Sequence, residues 1–281
     1  MMINDSLIIL AAGLSSRMKK SVSVNNLSKN SIEQANNREK GLIGIDKNGK
    51  PLIHYLLLNA KSAGFKTIYL VIGKNSKNFK NYFNENKYNG LEIKFAIQYL
   101  EKNRTKPSGT ADALFQAVTQ FPSLKSSHFC VCNSDNLYSS KALNSVRTTT
   151  FSNAFISYDK NFLNFSIKKI NSFSILKLNS NGFLEDILEK PELKDYDSFK
   201  DKNGKIRVNM NLFKFNGLVF LDYLKNCPYD KIRNEKELPT AVLNLAKDKP
   251  ESVYGIPFEE HVPDLTSKDD ITTLNKLLDS N

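Results

Sequence analysis

The sequence predicts an α/β fold, a three-layer α/β/α sandwich around a mixed, mainly parallel sheet. Three observations predict it. Apolar runs of strand length alternate with helix-period segments through the first half of the chain. The first run, LIILAA at 7–12, is apolar at every position, as a central parallel strand buried on both faces must be. The chain has 281 residues, 40% hydrophobic and 25% charged, which suits one sizeable globular core, and residues 1–281 read as a single domain.

Further strands are expected at TIYLVIG (67–73), EIKFAIQYL (92–100), HFCVC (128–132), NAFISY (153–158), SFSILKL (172–178), NLFKF (211–215) and SVYGIPF (252–258). The segment PLIHYLLLNAKSAG (51–64) reads as a helix, with Pro51 at its first position and Gly64 just past its end. TADALFQAVTQF (110–121) places Ala111, Leu114, Phe115 and Val118 on one face and stops before Pro122. The second half carries more strands than helices, so it should add a mixed or antiparallel edge. Residues 19–38 are polar without apolar periodicity and read as a mobile surface loop inserted after the first strand, either a lid over an active site or disorder without function; 194–205 read as a second polar loop.

The formal net charge of +11 invites a nucleic-acid reading. The lysines are scattered beside Asn, Ser and Asp, with no basic block interleaved with aromatics, so a basic surface that attracts small phosphorylated molecules is the better expectation and no nucleic-acid partner is expected. No apolar run approaches the roughly 20 residues of a membrane span, and no membrane partner is expected. Three cysteines, with Cys130 and Cys132 two apart on one strand face, indicate neither a disulfide framework nor zinc, and a reducing cytoplasm fits.

Several segments could carry chemistry. LAAGLSSRM (10–18) runs from a buried strand into small residues that let a phosphate approach the backbone, with Arg17 supplying a fork of donors; an ordinary βα turn would use the same small residues. Neither a Walker A motif nor G-x-G-x-x-G is present. Lys40 precedes the Pro51 helix and could reach the same phosphates, although a plain surface lysine reads the same way. Ser108, Gly109 and Thr110 open the next helix, where free N–H groups can meet an anion, and Asp112 suits its first turn. HFCVCNSDNLY (128–138) puts Asp135 at the carboxyl end of a strand, where open α/β sheets bind ligands; an Asx-turn is the structural alternative. In LEDILEKPEL (184–193), Pro191 disfavours helix, so Glu189 and Lys190 should lie on extended backbone and face opposite ways. VNMNLFKF (208–215) places two asparagines on one strand face. Thr266 and Asp269 resemble a capping box, which leaves Asp264 free to be a metal ligand.

The order of these segments, AAG-x-S-x-R-M, a lysine before KPLI, P-x-GTA-x-AL, SDN, EKP, an asparagine strand and D-x-TS-x-DD, resembles the sugar-1-phosphate nucleotidyltransferase family over about residues 6–278. The resemblance implies a nucleotide-diphospho-sugar transferase-like fold and Mg²⁺-dependent joining of a nucleoside triphosphate to a sugar 1-phosphate. It assigns Ala11, Ala12, Gly13, Ser15, Gln98, Gly109 and Thr110 to the nucleotide, and Asp112, Asn136, Glu189 and Asn209 to the acceptor. Arg17, Lys40 and Lys190 fall to catalysis, and Asp135 and Asp264 to the metal. Glu39-Lys40-Gly41 stands where the family has Pro-Lys-Pro. Relatives with the same first motif act on alditol phosphates, phosphocholine and molybdopterin, and a non-catalytic binding member of the fold is a further alternative. A glycosyltransferase would need a D-x-D motif, and NSDNLY has one aspartate. The resemblance also implies a homo-oligomer as one assembly state, and a chain ending with the nucleotidyltransferase domain, without the β-helix of bifunctional relatives.

Overall fold

The computed structural model describes residues 4–23 and 27–279. In chain order the strands are β1 (Ser6–Leu10), β2 (Thr67–Gly73), β3 (Glu92–Gln98), β4 (His128–Asn133), β5 (Ala154–Asp159), β6 (Ser174–Leu178), β7 (Leu184–Leu188), β8 (Arg207–Asn216) and β9 (Tyr254–Phe258). The helices are α1 (Ser16–Lys20), α2 (Lys29–Asn37), α3 (Leu52–Ser62), α4 (Lys77–Glu85), α5 (Thr110–Gln120), α6 (Ser140–Thr148), α7 (Ile167–Ile170), α8 (Gly217–Lys225), α9 (Leu238–Asp248) and α10 (Lys268–Asp279).

The sheet runs β3-β2-β1-β4-β8-β5-β9, with β6 on β8 and β7 on β6. The first four strands are mutually parallel. β8 opposes β4, β5 and β6 oppose β8, β9 follows β5, and β7 opposes β6. All but β7 and β8 therefore point one way, and the expected mainly parallel sheet is found. Side chains alternate across it: Leu7 and Ile9 of β1 enter one core with α3, α4 and α6, while Ile8 and Leu10 enter the other with α5, α8 and α9. Cys130 and Cys132 share the first core, buried as free thiols.

Four local expectations need correction. Residues 19–38 are not one loop: α1 and α2 fall within them, residues 24–26 lying outside the described ones. α2 buries only Ala35, which joins Met18, Ile43 and Ile271 in a third small core, so it leaves no apolar stripe to read. The Ser28 side chain caps it by accepting from Ser31 N–H. The segment 194–205 likewise contains a 3₁₀ turn, Leu193–Phe199, closed by reciprocal bonds between Glu192 and Asp195. In β8 the two asparagines do not continue a flat strand. Asn211 is left-handed (φ 57°), its N–H donates to Asn209 Oδ1, and the register against β5 shifts between Phe155 and Ser157. At α10 the capping carboxylate is Asp270, which accepts from Thr266 and Ser267 N–H, rather than Asp269.

Tyr138 fixes the bulged stretch of β8 to the end of β4. It is fully buried, and its hydroxyl donates to Met210 O at 2.6 Å. Tyr138→Phe should therefore lower unfolding stability by about 1–3 kcal/mol, the cost of a buried acceptor left unpaired. Urea titration checks this.

Candidate active site

A cleft of about 500 Å³ opens at the carboxyl ends of the parallel strands. β1 pairs with β2 on one side and β4 on the other, so the crossovers diverge there and leave a crevice. The turn after β1 forms one rim. Ala11 N–H still bonds Val71 O, as if the strand continued, and the chain then frees itself through Ala12 and Gly13. A Cβ on Gly13 would meet nothing within 4 Å. Its φ is not positive, so neither packing nor backbone requires glycine there, and the open space faces the cleft. Ser15 turns left-handed (φ 57°) into α1, which carries Arg17 on the rim. The Ser15 hydroxyl accepts from Lys40 N–H at 3.3 Å and so seats the 3₁₀ turn Lys40–Leu42 beside it.

Asp135 and Asp264 meet on the cleft floor although 129 positions separate them in sequence. A short backbone ladder aligns them: Asn136 bridges Asp264, Leu137 N–H donates to Pro263 O, and Leu265 N–H donates to Asp135 O. Each carboxylate faces a lysine. Lys40 Nζ donates to Asp135 Oδ2 at 2.9 Å. Lys169 Nζ lies 3.1 Å from Asp264 Oδ2 and 2.6 Å from Asp270 Oδ1. Burial, and then repulsion from Asp135, raise the Asp264 carboxyl above the usual carboxylate range, against the pull of Lys169. Asp264 Oδ1 accepts from Asn136 Nδ2 at 3.3 Å, while Oδ2 makes no hydrogen bond of proper alignment.

These groups fit Mg²⁺. That ion takes one or two carboxylates together with phosphate and water oxygens, and a buried carboxylate oxygen without a hydrogen bond is a suitable donor. Among the described residues no group of three or more His, Cys, Asp or Glu is placed to hold a metal without such help.

Opposite the Gly13 rim stand two interlocked loops. Gly109 is left-handed (φ 105°), and a Cβ there would lie 2.4 Å from Lys236 O. Its missing side chain makes room for the 226–237 loop. Ser108 O accepts from Lys236 N–H, Lys236 O accepts from Ala111 N–H, and Thr110 Oγ1 accepts from Leu238 N–H. Gln98 Nε2 donates to Gly109 O and to Asp112 Oδ2. At the far end, Glu189 Oε1 accepts from the Ser174 hydroxyl, and Arg233 pairs with Glu237 at 2.6 Å. Burial raises the Glu237 carboxyl, with Arg233 opposing and Glu189 adding to the rise.

The comparisons decide the family. A family model described as "Nucleotidyl transferase" matches residues 36–278. The chain belongs to the nucleotidyl transferase family. The match begins beyond the LAAGLSSRM turn. Curated relatives from Staphylococcus epidermidis, each named bifunctional protein GlmU, are 24% identical over 246 residues, 86% of this chain and 45% of theirs. The chain thus spans about half the length of these relatives. A solved UDP-glucose pyrophosphorylase, complexed with UDP-glucose, superposes with a TM-score of 0.72 at 17% identity, covering 100% of both chains, and shows the same fold.

Within this nucleotidyl transferase fold the cleft gathers most of the residues singled out from sequence. Ala11, Ala12, Gly13, Ser15, Arg17, Lys40, Gln98, Gly109 and Thr110 line it, as do Asp135, Asn136, Glu189, Asn209 and Asp264. Two do not. Asp112 is buried beneath the wall, holding Gln98 and Gln116. Lys190 is exposed and left-handed (φ 51°), not extended, with Asp230 as an electrostatic neighbour. Sequence reasoning missed Lys169, Lys106, Arg233 and Glu237. Lys169 lay in an unremarkable KK pair, and the other three became site residues only because their loops lock together: Lys106 Nζ donates to Arg233 O at 2.5 Å.

The two glycines should separate on substitution. Gly13→Ala should leave stability within about 0.5 kcal/mol of the parent. Gly109→Ala should cost about 1–3 kcal/mol through overpacking and backbone strain. Equilibrium unfolding in urea measures both.

Proposed function

We propose that the protein is a nucleotidyltransferase that joins a nucleoside triphosphate to a sugar 1-phosphate, giving an NDP-sugar and pyrophosphate. The observation that carries this reading is the side-by-side setting of Asp135 and Asp264 on the floor of a cleft rimmed by the Gly13 turn. Family membership supports the same reaction class.

An oxygen of the acceptor phosphate forms a bond to the α-phosphorus. The bond from that phosphorus to the bridging oxygen breaks, and pyrophosphate leaves with the electron pair. The nucleophile is already an anion, so the chain need supply alignment and charge neutralisation rather than a general base. The open face of Gly13 lets phosphate oxygens approach the backbone. Arg17 and Lys40 offer cationic donors on the same rim. Asp135 and Asp264 would hold Mg²⁺, which when bound neutralises phosphate charge. Gln98, oriented by Asp112, would meet the nucleotide, and Glu189 and Asn209, which also line the cleft, would meet the acceptor. Lys190 lies off the cleft and is given no step.

Purified protein should release pyrophosphate only when Mg²⁺, a nucleoside triphosphate and a sugar 1-phosphate are all present. Asp135→Ala should lower that rate at least about 10²–10³-fold, comparable to removing one strong transition-state contact. Parent-like turnover in the variant would refute the carboxylate assignment. The raised Asp264 carboxyl also predicts a pH profile. Protonation removes a metal ligand, so the rate should begin to fall at a pH above the ordinary carboxylate range. Steady-state rates across pH at limiting Mg²⁺, where protons and the metal compete for the free carboxylate, check this.

A further inference from the structure

Lys169 belongs to none of the groups that line the cleft, yet it touches the carboxylate beneath it. Its ammonium lies 3.1 Å from Asp264 Oδ2, 3.3 Å from Asp264 O and 2.6 Å from Asp270 Oδ1. It also lies 4.6 Å from the Phe165 ring centroid. The two carboxylates it bridges differ in freedom. Asp270 is fixed: its other oxygen, Oδ2, accepts from Thr266 N–H at 2.9 Å and Ser267 N–H at 2.6 Å to start α10. Asp264 Oδ2 has no aligned hydrogen bond, and the Lys169 ammonium stands 3.1 Å from it.

We propose that Lys169 is a positioning residue whose ammonium compensates Asp264 while no divalent cation is bound, and withdraws onto Asp270 when that cation takes Asp264. This rests on the reading of Asp135 and Asp264 as the metal pair. Two neighbouring carboxylates in a partly buried floor repel each other, and a buried charge without a partner is costly. A lysine against each one removes that cost before the metal arrives. A divalent cation must then displace Lys169 from Asp264. The displacement needs little movement, because the shorter contact, to Asp270, already exists and remains. The ammonium is a compact charge on a flexible stem, suited to sharing two oxygens and then keeping one. Ser172, Phe173 and Ser174 follow α7 and line the cleft, so the same short connection joins the metal floor to the wall beside Glu189.

The exchange predicts competition, which a purely structural lysine would not produce. The test is Mn²⁺ titration of the whole chain by calorimetry, without substrates and at mildly alkaline pH. Lys169→Met should bind Mn²⁺ about tenfold tighter than the parent, within the usual range of coupling between sites. Lys169→Arg, which keeps the charge, should bind like the parent. Lys169→Gln serves the same purpose if the methionine variant does not fold. Unchanged or weaker Mn²⁺ binding in a folded, neutral variant overturns the proposal. Asp135→Asn separates this failure from that of the metal reading. If that variant binds Mn²⁺ like the parent, the metal pair itself is wrong and the exchange falls with it. If it loses binding while Lys169→Met equals the parent, only the exchange is wrong.

Discussion

The cleft depends on two carboxylates held side by side where water has limited access. Left alone, such a pair would shed a charge by binding a proton or would push the loops apart. The chain opposes this in two ways. The backbone of 135–137 is tied to 263–265 by main-chain bonds that are indifferent to charge. Lysines then approach from opposite sides, Lys40 from the turn after α2 and Lys169 from α7. The net charge of +11 contributes little to this, since among the described residues only these two ammonium groups stand in hydrogen-bonding range of the pair. The local pairs, not the overall charge, decide what the floor can hold.

The sheet explains why the carboxylates meet there. Four parallel strands deliver their carboxyl ends to one edge, and β8 enters beside β4 in the opposite sense. The beginning of β8, with Asn209 and the left-handed Asn211, therefore lies next to the end of β4. A regular strand would carry its ladder straight past this point. The bulge breaks the register, and the Tyr138 hydroxyl takes up the Met210 carbonyl. Pinning the reversed strand leaves Asn209 and Asn211 on the cleft wall beside the aspartate that follows β4.

The parts legible in the sequence were those written as local patterns. LIILAA and HFCVC are apolar at nearly every position because both faces of β1 and β4 are covered, and their ends named Gly13 and Asp135 at once. The unread parts depend on distant neighbours. α2 buries one alanine and so has no periodicity to find. β7 runs up to the EKP motif without belonging to it, and its pairing with β6 is hard to read, since short half-exposed strands carry a weak alternation. Pro191 was a sound reason to exclude helix, but it does not select extended backbone over the left-handed turn that Lys190 adopts. Lys169 sits in a four-residue helix with one buried residue, and nothing before folding relates it to Asp264.

Glycines 13 and 109 look alike in sequence, each just before a helix, yet they serve different ends. At Gly13 the protein leaves space on the cleft side, so the lack of a side chain concerns whatever enters. At Gly109 the same lack lets the 226–237 loop press against the start of α5. Arg104 and Lys106 then reach across to Asn234 O and Arg233 O. The wall that carries Gln98 and the wall that carries Arg233 and Glu237 are thereby joined, although they derive from segments more than a hundred residues apart. Arg104 and Lys106 supply these ties from their own side chains, so substituting either removes a bond between the two walls. Gln98, Arg233 and Glu237 are on this account carried by one tied wall, set against a rim that stays bare at Gly13.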